Sequence, residues 1–144
     1  MDSDPFGRRP ACHRSGQLSY DYSLFAPADA TAPKVCRDFV RLVLIALGRG
    51  GLVMPATLCT SELVTNVHLH TKGSAMLRLQ VQPVRVRVSV FDESPDLPVR
   101  RLAADETCWG RGLALVAGTA DAWGVAGERA GRYAKGVWFE LGGG

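Results

Sequence analysis

A chain of 144 residues fits one domain, and a single core is within reach, since a domain of about 150 residues buries roughly 70% of its unfolded surface. Its 47% apolar and 22% charged residues are ordinary for a globular protein and argue against a disordered or fibrous chain. The formal net charge is only +3 with the arginines spread along the chain, which gives no reason to invoke nucleic acid, and the longest apolar run, Leu42 to Leu47, is far short of the ~18 residues that span a bilayer.

Residues 1–17 are polar, with Pro5, Gly7, Pro10 and Gly16, and are expected to form a disordered tail. Asp2, Asp4, Arg8 and Arg9 have no apolar segment behind them, so no secretory signal is expected and the cytoplasm is the expected location. The cysteines at 12, 36, 59 and 108 form no CxxC pair and no metal-site spacing with His13, His68 or His70; free, mostly buried thiols are expected.

Alternation of Tyr20, Tyr22 and Leu24 with Asp21 and Ser23 predicts a half-buried strand over 19–26. A helix follows over 31–47, with Val35, Phe39, Leu42, Val43 and Ala46 as its apolar face, Thr31 or Asp29 as its cap and Pro33 in its first turn. Gly48, Gly50 and Gly51 stop it. A second helix runs from Pro55 to His70, with Cys59, Leu63 and Val67 on one face. Leu77, Leu79 and Val81, then Val84, Val86, Val88 and Val90, predict an antiparallel hairpin with Pro83 at the junction. Pro95 and Pro98 mark a loop reaching to about Cys108. Gly110-Arg111-Gly112 then opens a short helix over 113–120, and strands over 122–125 and 136–141 complete the chain before a frayed 142–144. Trp109, Trp123 and Trp138 read as core or lid-packing residues. Strand, two helices, hairpin, helix, hairpin is the order of an α+β two-layer sandwich, with helices on one face of a mostly antiparallel sheet.

Three groups carry possible chemistry. Glu62 and Asn66 stand one turn apart on the second helix, at the rim of its apolar stripe. From spacing alone both read first as ordinary helix-surface residues; the alternative is that the Asn66 oxygen suits Mg²⁺ and Glu62 suits a general base. Asp92 ends a strand, either as a turn former before Ser94-Pro95 or as an acceptor for an amino group such as that of adenine. Gly110-Arg111-Gly112-Leu113 is either a flexible junction or a place where backbone N–H groups meet a phosphate at a helix N-terminus. His70 suits either the site or the last helical turn.

In their joint order these stretches resemble the GHKL (Bergerat-fold) ATPase superfamily, and more narrowly the bacterial anti-sigma-factor serine kinases and their small actinobacterial relatives. The resemblance rests on Ser61 to Thr71, Val90-Phe91-Asp92-Glu93-Ser94-Pro95, Gly110 to Val116, and the tail Trp123-Gly124-Val125 with Gly136 to Leu141, and it covers residues 19–141. It implies ATP and Mg²⁺ as cofactors, with Asn66 on the metal and Glu62 as base. It further implies Asp92 on the adenine amino group with Ser94 in the base pocket, where the superfamily has a glycine. Gly110, Arg111, Gly112 and Leu113 would lie at the phosphates, under a lid over 97–109. The implied function is a serine/threonine protein kinase that binds a sigma factor and phosphorylates an antagonist protein. The alternatives are a non-catalytic nucleotide-binding or docking regulator and a detached histidine-kinase ATP-binding module. The first helix and the surface around it are the expected homodimer or partner face, by the same resemblance.

Overall fold

In this computed structural model the described chain comprises residues 19–27, 29–70, 73–93, 111–126 and 135–142. It begins with β1 (Tyr20–Ala26) and α1 (Ala32–Ala46), then a 3-10 turn (Gly50–Leu52) that runs into α2 (Val53–His70). The hairpin of β2 (Ala75–Gln82) and β3 (Arg85–Asp92) follows, then α3 (Arg111–Thr119), β4 (Ala122–Ala126) and β5 (Lys135–Gly142). The strands form one sheet in the order β1-β2-β3-β5-β4, every neighbouring pair antiparallel. This is the expected α+β two-layer arrangement.

Register decides which side chains meet the helices. Leu79 lies opposite Val88, and Val88 opposite Phe139. Alternation then puts Leu77, Leu79 and Val81 with Val86, Val88 and Val90 and with Val137, Phe139 and Leu141 on one face. All nine are buried, in one cluster with Cys36, Val40 and Leu44 of α1 and Ala56, Cys59, Leu63, Val64 and Val67 of α2. The other face carries Arg78, Gln80, Arg85, Arg87, Trp138 and Glu140. Among the described residues no helix is long and apolar enough to cross a membrane.

α1 departs from the expected phase. Its buried residues are Ala32, Cys36, Val40, Val43 and Leu44, whereas Val35, Leu42 and Ile45 are exposed. The helix has two apolar stripes. The one that packs on α2 is buried; the other lies on the side of β1, the edge strand among the described residues. There Phe39 meets Tyr22 edge-on, with ring centroids 6.3 Å apart. The N-cap also differs. Thr31 occupies that position, but its hydroxyl and its backbone N–H both donate to Oδ1 of Asp29, so neither side chain caps the helix. The Thr31 hydroxyl is the main cause that holds the Asp29 carboxyl below its ordinary value. At the other end Gly48 adopts φ of 77°, the left-handed turn that lets its N–H reach the Ile45 carbonyl at 3.1 Å.

Smaller corrections follow from the turns. Gln82 pairs with Arg85, so Val84 sits in the two-residue turn with Pro83 and is exposed rather than in the strand. α2 begins at Val53, two residues before Pro55, and α3 begins at Arg111, which places Gly112 inside the helix rather than before it. Gly142 is the last residue of β5, not a frayed end; its N–H donates to Oδ2 of Asp121 at 2.6 Å. The expected tail over 1–17 and lid over 97–109 lie outside the described residues, as do Cys12, Cys108 and Trp109.

Candidate functional site

α2 packs on β3 and carries α3 on its flank, and these three elements frame the expected site. Asn66, on the last turns of α2, is 3% exposed, and its Nδ2 is buried without a hydrogen-bond partner. The amide group faces Gly112 in the first turn of α3. A Cβ built on Gly112 would come within 2.5 Å of Asn66 Nδ2, so only glycine leaves room for the carboxamide there. An unpaired buried amide costs about 1–3 kcal/mol. Arg49 Nη1, Thr60 Oγ1 and His68 Nδ1 are buried and unpaired as well; what sets Asn66 apart is its position against the start of α3.

Glu62 stands one turn before Asn66 and is half-buried. It lies beside Cys59, whose thiol is pushed up to about 11 by burial first and by the Glu62 carboxylate second, against the pull of a hydrogen bond to Thr119. Cys59 therefore faces the end of α3 and Asn66 its beginning, so α2 and α3 run antiparallel with Glu62 between the two contacts. Leu113 is buried in the core beneath them.

Asp92 ends β3 on the face that α2 covers, next in the alternating series after Val86, Val88 and Val90, and is 2% exposed. A buried carboxylate at a strand end is not a plain turn residue, which would be solvated. The chain beyond it is fixed by Glu93, whose Oε2 accepts from the Ser74 N–H and from the Ser74 hydroxyl, both at 2.8 Å. The Glu93 carboxylate lies so close over Gly73 that a Cβ there would be 2.7 Å from its Cδ. No sequence pattern flags this clamp, because it joins residues on either side of a hairpin.

Asn66 and Gly112 are thus brought together, with Glu62 one turn away and Asp92 on the sheet side of the same layer. Ser94 and Gly110 lie outside the described residues, as do the side chains of Arg111 and His70. His68 has its Nδ1 buried and unpaired. Trp123 packs against the core as expected, but Trp138 lies on the outer sheet face beneath Arg87. Among the described residues no group of three His, Cys, Asp or Glu side chains could hold a metal ion.

The two described thiols, Cys36 and Cys59, are free, buried and each raised to about 11. A raised value means that the folded chain keeps its proton where the unfolded chain has lost it. Stability is therefore expected to fall between pH 9 and about 11, by roughly 2–3 kcal/mol per thiol at the end of that window. Denaturant unfolding at pH 8 and pH 10.5 checks this; an unchanged midpoint, or rapid labelling of either cysteine by a thiol reagent at pH 8 in the folded state, would refute it.

No family model matches the chain, and no curated protein does.

Proposed function

We propose that the chain is a cytoplasmic ATP-binding regulator of GHKL type, acting as a serine/threonine protein kinase that binds a sigma factor and phosphorylates an antagonist protein. The observation that carries this reading is the buried carboxamide of Asn66, whose Nδ2 has no hydrogen-bond partner, held against Gly112 at the start of α3. A helix N-terminus presents unpaired N–H groups and the positive end of its dipole. An amide N–H donor without a partner beside such an end suits a phosphate oxygen, and the Oδ1 of the same amide is the atom that suits the phosphate's counter-ion.

In this reading Asn66 holds Mg²⁺, which when bound neutralises phosphate charge. The backbone amides of Gly110, Gly112 and Leu113 hold the phosphates, with Arg111 adding charge. Asp92 accepts from the adenine amino group beside Ser94, and its burial excludes the water that would compete for it. Glu62 takes the proton of the attacking hydroxyl. Phosphoryl transfer asks the protein mainly for positioning and charge neutralisation. The exposed Val35, Leu42 and Ile45 of α1 beside edge strand β1 support a protein contact, with a second copy or with the sigma factor, on that side.

Calorimetric titration with ATP and Mg²⁺ tests the pocket. The wild-type chain is expected to bind, and Asn66→Ala and Asp92→Ala to bind at least about tenfold more weakly, as loss of a charge-assisted contact does. Equal binding by all three chains, or binding by none, overturns the pocket. Transfer of the terminal phosphate to an antagonist protein then tests Glu62. If Glu62→Ala transfers at the wild-type rate, Glu62 is not the base. If the wild type binds ATP and transfers nothing, the docking-regulator reading replaces the kinase.

A further inference from the structure

The sheet face turned away from the helices holds an open depression of about 680 Å³. Arg78 and Gln80 of β2 lie beside Arg85 and Arg87 of β3, and Trp138 and Glu140 of β5 close its far side. One carboxylate fixes two of these arginines. Arg85 Nη1 donates to Oε1 of Glu140 at 2.8 Å, and Arg87 donates to Oε2 through Nε at 2.8 Å and through Nη2 at 2.6 Å. Glu140 is buried, so both its oxygens are committed to the pair. Arg87 also lies 4.0 Å above the Trp138 ring, and that indole rests on Gly124, where a Cβ would come within 2.8 Å of it. Arg78 is held across the strands by Asp21, at 3.1 and 2.7 Å.

These arginines are pre-set rather than loose. A free Arg loses about 2 kcal/mol of rotamer freedom when it binds, and stacking with a fixed carboxylate removes much of that cost beforehand. Among the described residues, the three guanidinium groups face two carboxylates, those of Asp21 and Glu140, so Arg85 and Arg87 share a single counter-charge. The cations are also strung out. Arg85 lies opposite Gln82, Arg87 opposite Gln80, and Arg78 opposite Ser89. At about 3.4 Å per residue, the four-residue step from Arg85 to Ser89 spans roughly 14 Å.

We propose that this face docks an extended acidic segment of a partner protein, its carboxylates spaced to meet Arg85, Arg87 and Arg78 in turn. A compact anion cannot reach all three rows. A nucleic-acid strand fits less well, because the Arg87 guanidinium already covers one face of the Trp138 indole and Gly124 lies close against the ring, which leaves little platform for base stacking. The site is independent of the nucleotide pocket on the opposite side of the sheet.

Fluorescence anisotropy of the full chain with a fluorescein-labelled octapeptide of alternating Glu and Ser tests it. Saturable binding is expected, weakened about tenfold by Arg87→Gln and by Arg85→Gln and unchanged by Arg41→Gln, whose partner is Asp38 on α1. Arg85 is more than half exposed, so its replacement keeps the reading valid if Arg87→Gln disturbs the fold. The proposal fails if the peptide does not bind, if Arg41→Gln weakens it as much, if a single-stranded oligonucleotide of equal charge binds more tightly, or if equimolar inorganic phosphate displaces it.

Discussion

Gly112→Ala is expected to lower affinity for ATP with Mg²⁺ by about tenfold or more while shifting the melting temperature by only a few degrees. The added Cβ would meet Asn66 Nδ2 at 2.5 Å, well inside any real carbon contact. Something must move, and the short, buried Asn66 side chain is what lies in the way. It can swing aside, but only by leaving the start of α3. The fold itself has little to lose. Gly112 is inside a helix, where alanine is favoured by roughly 1 kcal/mol, and that gain offsets part of the local crowding. Under the proposed function, affinity and stability are therefore expected to separate at this position. Calorimetric titration beside a thermal melt reads both. Wild-type affinity in Gly112→Ala would show that the juxtaposition of Asn66 with α3 does not matter to binding, and the pocket would have to be sought elsewhere.

The same residues show how much of the proposed site is legible in the sequence. Helix spacing alone sets Glu62 and Asn66 one turn apart, and the strand pattern alone sets Asp92 at a sheet end. What spacing does not carry is depth. Asn66 and Asp92 are both almost wholly buried, which distinguishes them from the surface and turn residues that the same patterns also describe. Depth depends on α3 lying across α2, a contact between segments more than forty residues apart. The extent of α3 was missed for a local reason. Glycines read as helix-breaking, yet Gly112 lies inside the helix, at a place where Asn66 leaves no room for a side chain.

The same limit explains α1. Its sequence carries two apolar stripes, and periodicity cannot choose between them. The choice falls to the neighbours: α2 covers Cys36, Val40 and Leu44, and the narrow edge of the sheet leaves Val35 and Leu42 in water. The arginines illustrate the converse. Scattered in sequence, Arg78, Arg85 and Arg87 converge once β2, β3 and β5 pair, and Glu140, more than fifty residues away, holds two of them. Strand and helix positions follow from near neighbours, whereas charge clusters and buried phases follow from pairings that only the folded sheet creates.

Gly136→Val is expected to cost about 3 kcal/mol, the upper range for overpacking, and to remove ATP binding even at temperatures where the variant is folded. Gly136 lies opposite Phe91 in the β3–β5 ladder. A Cβ there would strike the Val90 carbonyl oxygen and come within 3.0 Å of the Phe91 Cα. Those are backbone atoms, so no rotamer change relieves the clash and the two strands must part. They part beside Asp92, the next residue of β3, and Phe91 is itself buried with Met76 in a small cluster of its own on the outer face. The damage therefore falls on the strand end that positions Asp92. Leu44→Ala provides the comparison. It removes a fully buried side chain from α1 and should cost about 2–5 kcal/mol through its cavity, without touching this ladder. Measured well below both melting temperatures, Leu44→Ala should keep its ATP affinity and Gly136→Val should not. If both variants lose affinity in proportion to their lost stability, the β3–β5 junction has no special role in the pocket. If Gly136→Val binds normally, Asp92 does not need the register that this glycine protects.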